Sequence, residues 1–129
     1  MTLDKSSEQT PRALTEEQSA FYHENGWLLA GNVIPESWLE RLRDATAEIV
    51  DETRSMTESS TGIELLDEHS ADHPNLLNVA SPCDLHPIVW EFISNSPLVD
   101  MACDLLGTPV SYRYSQVRFE KLGQCTRGR

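Results

Sequence analysis

The sequence predicts an α+β fold, on three observations. Between Pro35 and Asp51, the residues Trp38, Leu39, Leu42, Ala45, Ile49 and Val50 recur at helical spacing while charged side chains fill the other face. Residues 86–107 carry two short apolar segments punctuated by Pro87, Pro97 and Gly107, which reads as a helix pair. Residues 110–121 then alternate in character at strand spacing. The expected order is helix, strand, helix, loop, helix pair, strand, with no internal repeat.

Taken in order, residues 1–13 are polar, contain Pro11 and read as a disordered lead-in. Thr15 and Gln18 are placed as a capping box, and the helix they open carries Ala20, Phe21 and Tyr22 before Asn25-Gly26 ends it. Trp27–Ile34 is mostly apolar and strand-like, interrupted by Gly31-Asn32, and Pro35 opens the second helix at its first turn. Residues 54–74 lose all periodicity and are rich in Ser, Thr, Glu and Asp. They read as a long loop or mobile lid with a short ordered piece near Ile63-Glu64-Leu65-Leu66.

After Ser81-Pro82-Cys83-Asp84, a helix over His86–Ile93 turns Val89, Trp90, Phe92 and Ile93 inward. The next is capped by Ser96, has Pro97 at its first position, buries Leu98, Val99, Ala102, Leu105 and Leu106, and stops at Gly107. In the strand over Val110–Lys121, Tyr112, Tyr114, Gln116, Arg118 and Glu120 point one way and Val117 and Phe119 the other. Two or three strands seldom stabilise themselves. The polar side suits a cavity lining better than a core, and the opposite wall of that cavity is missing from the pattern.

Composition narrows the function. The chain has 129 residues, 39% of them hydrophobic, and a mean hydropathy of −0.42, ordinary for a soluble globular domain. No run approaches the roughly 18 apolar residues of a membrane span, and the first residues lack the apolar core of a secretory signal. Cys83, Cys103 and Cys125 are scattered and odd in number, which predicts reduced thiols in a cytoplasmic setting. The net charge is −11, concentrated in residues 36–72, where 11 acids face 3 bases; from Gly107 onward, 5 bases face only Glu120. An acidic body of this kind repels phosphate backbones and argues against nucleic acid.

Individual motifs are sparse. His69, Asp72 and His73 could offer two imidazoles at i and i+4 to a metal if the segment were helical, though a solvated acidic loop is the simpler reading. His86 reads as a capping or packing residue, His23 as surface and Cys103 as a small core residue. The ladder Tyr112, Tyr114, Gln116, Arg118, Glu120 offers hydroxyl, amide, guanidinium and carboxylate groups on one side, with Arg118 as the natural partner for a carboxylate. The alternative is an ordinary exposed strand face.

Three stretches together resemble the N-terminal part of the phytanoyl-CoA dioxygenase family of Fe(II)- and 2-oxoglutarate-dependent oxygenases. They are LTEEQSAFYHENGWLLAGNVIPESWLERLRDA (14–45), SPCDLHPIVWEFISNSPLVDMACDLLG (81–107) and VSYRYSQVRFEK (110–121). The resemblance covers residues 14–121 and leaves 122–129 as an off-pattern tail. It implies the helices and first strands of a double-stranded β-helix (jelly roll) whose barrel is incomplete in this chain. It implies Tyr114, Gln116 and Arg118 as cofactor-binding positions at the barrel mouth, and residues 54–80 as part of a substrate lid. Complete relatives hold iron with H-x-D/E and a distant histidine, the facial triad that leaves positions open for 2-oxoglutarate and oxygen, and oxidise a small organic or acyl substrate. Here none of His23, His69, His73 and His86 is followed two residues later by Asp or Glu. The expectation is therefore an N-terminal fragment with no catalytic residue and no metal ligand of its own, inactive alone and holding neither cofactor. The rival expectation is a non-catalytic helical module whose acidic 36–72 region meets a basic partner. No oligomeric state follows from the sequence.

Overall fold

Helix α1 (Glu16–Asn25) begins where the capping box places it: the Thr15 hydroxyl accepts from the Gln18 backbone N–H at 3.1 Å, and the Gln18 side chain accepts from the Thr15 N–H at 3.0 Å. It ends at Gly26, whose φ of 80° is the left-handed conformation that glycine takes without a Cβ penalty. The computed structural model describes residues 13–120 and the backbone of β1 (Thr2–Leu3). The remainder of the lead-in, Lys121 and the tail at 122–129 lie outside the described residues. No residue of α1 itself is buried; the buried Leu14 just before it anchors the start, its N–H donating to Asp104 Oδ2 at 2.9 Å.

Helix α2 (Glu36–Glu52) follows Pro35, which caps the helix rather than entering its first turn. Its apolar stripe faces inward as the spacing predicts, with Ala45 and Ile49 fully buried. A 3₁₀ turn at Thr53–Ser55 continues it, and the buried Thr53 hydroxyl donates to the Val50 carbonyl at 2.6 Å. After β2 (Ile63–Leu65), β3 (Leu76–Ala80) and a second 3₁₀ turn come α3 (Pro87–Asn95) and α4 (Pro97–Leu106), the pair expected from the sequence. Of the α4 residues expected inside, Val99 is buried, while Leu98 is 40% and Leu106 70% exposed. Ser96 closes α3 and caps α4 at once, its hydroxyl accepting from the Leu98 N–H at 3.3 Å. Trp38 of α2 meets Phe92 of α3 edge-on at 5.5 Å, and Arg41 reaches Glu91 at 2.8 Å.

The strands form two antiparallel groups: β1 with β4 (Val110–Ser111), and a three-stranded sheet in the order β2, β3, β5 (Gln116–Arg118). Register sorts the larger sheet into two faces, because residues opposite one another share a face. Ile63, Val79 and Val117 form one cross-strand row, and they pack with Phe119 around Ile49 of α2, Leu76 and the fully buried Val79. Glu64, Asn78 and Arg118 form the row on the opposite face.

Three expectations change here. Trp27–Ile34 is not a strand: Asn32 sits at a φ of 55°, which breaks the extended run, and no described strand lies beside it, so Trp27 is 59% and Leu29 84% exposed. Residues 76–80 belong to no lid; they are the central strand of the sheet. The single strand over Val110–Lys121 is two pieces, because β4 pairs with β1 and β5 with β3, so the chain must turn between its two partners. Among the described residues no helix is long and apolar enough to cross a membrane.

Candidate functional site

The polar face of β5 is where the sequence places a binding wall. Alternation holds from Gln116 to Glu120: Gln116, Arg118 and Glu120 are exposed, while Val117 and Phe119 turn to the core. Arg118 is opposite Asn78, and Gln116 is opposite Ala80. The Arg118 guanidinium is more than half exposed and only loosely paired, 3.9 Å from Glu120 Oε1, a pair worth little in water. Tyr114 precedes the strand; its hydroxyl donates to Gln116 Oε1 at 3.1 Å, so the two act as one group. Tyr114, Gln116 and Arg118 are thus exposed on one side of this segment.

Tyr112 does not join this row. Its ring stands edge-on to Trp90 of α3 at 5.7 Å, and its hydroxyl lies 2.7 Å from Ser115 Oγ and 3.5 Å from Cys83 Sγ. Partial burial and then the hydrogen bond with Cys83 raise the phenol above its ordinary 10.0, against an opposing pull from Ser115. The group closes the corner between β4 and β5, where the Ser115 carbonyl accepts from the Ser81 N–H at 3.0 Å.

Two residues of the opposite row carry no signal that sequence reading used. Asn78, in the middle of the apolar run LLNVA, presents a buried Oδ1 with no hydrogen-bond partner. Glu64 lies beside it across β2. A polar residue inside a short apolar run was the available clue. A cavity of about 500 Å³ opens at the end of the sheet, floored by Val50, Leu66, Leu76 and Phe119, with Asp67, Glu68, Arg118 and Glu120 among its polar lining.

The ring nitrogens of His69 and His86 already have partners within the fold. His69 Nδ1 accepts from the Asn75 N–H at 2.9 Å, which leaves Nε2 to donate to the Thr53 carbonyl at 3.0 Å. This pins the 66–75 turn to the end of α2, and the His69–His73 stretch is not helical, so the i, i+4 pairing does not arise. His86 Nδ1 accepts from the Ile88 N–H at 3.3 Å, capping α3, and its Nε2 lies 2.6 Å from Glu48. Among the described residues no three His, Cys, Asp or Glu side chains gather as a metal site. Among the described residues the donor set does not fit iron, and Gln116 and Arg118 stand two residues apart on the exposed face of β5.

No family model and no solved structure matches the chain. It is 28% identical over 101 residues to a probable phytanoyl-CoA dioxygenase of Caenorhabditis elegans, a match that covers 76% of this chain. The chain spans about a third of that relative's length, 32%. Its α+β arrangement with a small antiparallel three-stranded sheet is compatible with part of a jelly roll.

Proposed function

We propose that this chain is the N-terminal part of an Fe(II)- and 2-oxoglutarate-dependent oxygenase of the phytanoyl-CoA dioxygenase type, contributing one wall of the 2-oxoglutarate site and no iron ligand. The observation that carries the reading is the two-sidedness of β5: Val117 and Phe119 are spent on the core under α2, while Gln116 and Arg118 are held out on a rigid strand. A guanidinium and an amide two residues apart on a strand offer a directional, charge-assisted grip on a carboxylate. In complete relatives the iron and 2-oxoglutarate supply the oxidation of a small-molecule substrate; this chain's share is to orient the anion. His69 and His86 are committed to the fold and supply no ligand.

Titrating 2-oxoglutarate in large excess against the isotope-labelled chain is expected to shift the Gln116 side-chain amide and the Arg118 Nε–H resonances through weak contact that does not saturate, short of retention, and to leave Arg113 unmoved. Arg118→Ala is expected to abolish the Gln116 response. Equal shifts at Arg113, or none at Arg118, would sink the assignment of the wall. Stoichiometric iron retention with succinate release by the purified chain would overturn the claim that it holds no iron.

A further inference from the structure

We infer that His69 is a proton-operated latch: its neutral ring holds the 66–75 turn against the end of α2, and a second ring proton releases that turn from one wall of the cavity. The ring sits between two backbone groups whose roles are fixed. The Asn75 N–H, 2.9 Å from Nδ1, can only donate, and the Thr53 carbonyl, 3.0 Å from Nε2, can only accept. Nδ1 is therefore bare and Nε2 carries the hydrogen. One tautomer of the neutral ring satisfies both partners. An imidazolium donates at both nitrogens and sets N–H against N–H at Asn75.

His86 shows what His69 lacks. Its Nδ1 also accepts from a backbone N–H, that of Ile88, but its Nε2 lies 2.6 Å from the Glu48 carboxylate. A proton added there gains an ion pair as the cap is lost. His69 has the carbonyl of the buried Thr53 in that place, so neither nitrogen is bonded to a carboxylate. The charged and titratable groups around it are Asp51, Glu52 and Arg54, where α2 runs into its 3₁₀ turn. On its own turn they are Asp67, Glu68, Asp72 and His73, whose three acids draw a proton towards the ring without supplying either nitrogen with an acceptor. Arg54 keeps its charge at any working pH, and its Nη1 donates to the Ala71 carbonyl at 2.6 Å. The turn thus has a second tether that protons do not touch, and release at His69 is a swing about Ala71. The part that swings carries Leu66, Pro74 and Asn75 of the cavity lining, and the Leu66 N–H closes its base on the Asn75 carbonyl at 2.9 Å.

The test is hydrogen-exchange protection of backbone amides in the full 129-residue chain, each corrected for its intrinsic rate, from about pH 7.5 to about pH 5, the span in which histidines charge. A closed form that holds only the neutral ring is favoured above that span and loses ground as pH falls. The Asn75 and Leu66 amides are expected to lose about tenfold in protection, the weight of one donor left without its acceptor. Val79, buried at the sheet centre, is expected to keep its own. His69→Gln, which takes up no proton, is expected to hold both amides level across the span, and His73→Gln to leave the response intact. Should His69→Gln fail to fold, the isotope-labelled ring of the unaltered chain serves instead: Nδ1 is expected to gain its proton over the same interval in which Asn75 opens. A response that persists in His69→Gln or vanishes in His73→Gln overturns the inference. So does a ring that charges while Asn75 stays protected, or an equal loss at Val79. None of these outcomes touches the oxygenase reading, since neither Arg118 nor 2-oxoglutarate enters the test.

Discussion

Two short apolar runs of this chain have opposite fates. Leu76–Ala80, with a polar Asn78 at its centre, is the middle strand of the sheet, and its Val79 is fully buried. Trp27–Ile34 is longer and nearly as apolar, yet it forms no ladder with a described strand and leaves Leu29 84% exposed. The difference is not propensity. β3 has a strand on each side and α2 across its face, whereas the other run lies beside no described strand and has Phe21 edge-on to Trp27 at 4.9 Å. A strand is made by its neighbours, and apolarity alone does not supply them.

The sharpest way to break this comparison is truncation in each run, read from urea unfolding. Leu76→Ala is expected to cost about 2–5 kcal/mol, the range for a buried leucine whose cavity only partly collapses. Leu29→Ala is expected to stay within about 0.5 kcal/mol, as for other exposed positions. Similar losses at both sites would mean that 27–34 packs in solution as firmly as β3.

A second change tests β3 from within. Asn78 Oδ1 is buried without a partner, and an unmet acceptor costs about 1–3 kcal/mol. Asn78→Leu, which keeps the branching and the number of side-chain heavy atoms, is therefore expected to be neutral or stabilising by about 1 kcal/mol, a raised denaturation midpoint being the readout. A clear loss would show that the amide is satisfied in solution.

The smallest effect concerns the corner that joins β5 to the rest of the fold. Because the Tyr112 phenol is raised in the folded state, its contribution is fully present below the ordinary value of 10.0 and lost as pH climbs through the folded value. Tyr112→Phe is expected to flatten that alkaline decline in the denaturation midpoint. An unchanged slope would remove Tyr112 as its source.

Local chemistry was the part of the fold legible in sequence. The capping box at Thr15, the glycine at Gly26, the stripe of α2 and the Ser96-Pro97 junction are set by residues within a turn of one another, and the structure reproduces them. Pairing was not legible. Whether 76–80 or 27–34 becomes a strand depends on partners well outside the local segment, and the split at 112–115 arises because β4 and β5 answer to different strands. The same holds for the site. Gln116 and Arg118 could be picked out by alternation, but Asn78 and Glu64 become their neighbours only through register. Tyr112 left the ladder for Trp90 because the chain turns there.

Ser96 leaves no spare residue between α3 and α4, since it ends one helix and caps the next, and it is fully buried. The phase of the second helix is thereby locked to that of the first. One residue inserted at this junction would advance α4 by about 100°, a single step of a 3.6-residue turn. That would swing Val99 out of its buried position and pull Asp104 away from Leu14. A change of length at the junction would therefore disturb both contacts at once.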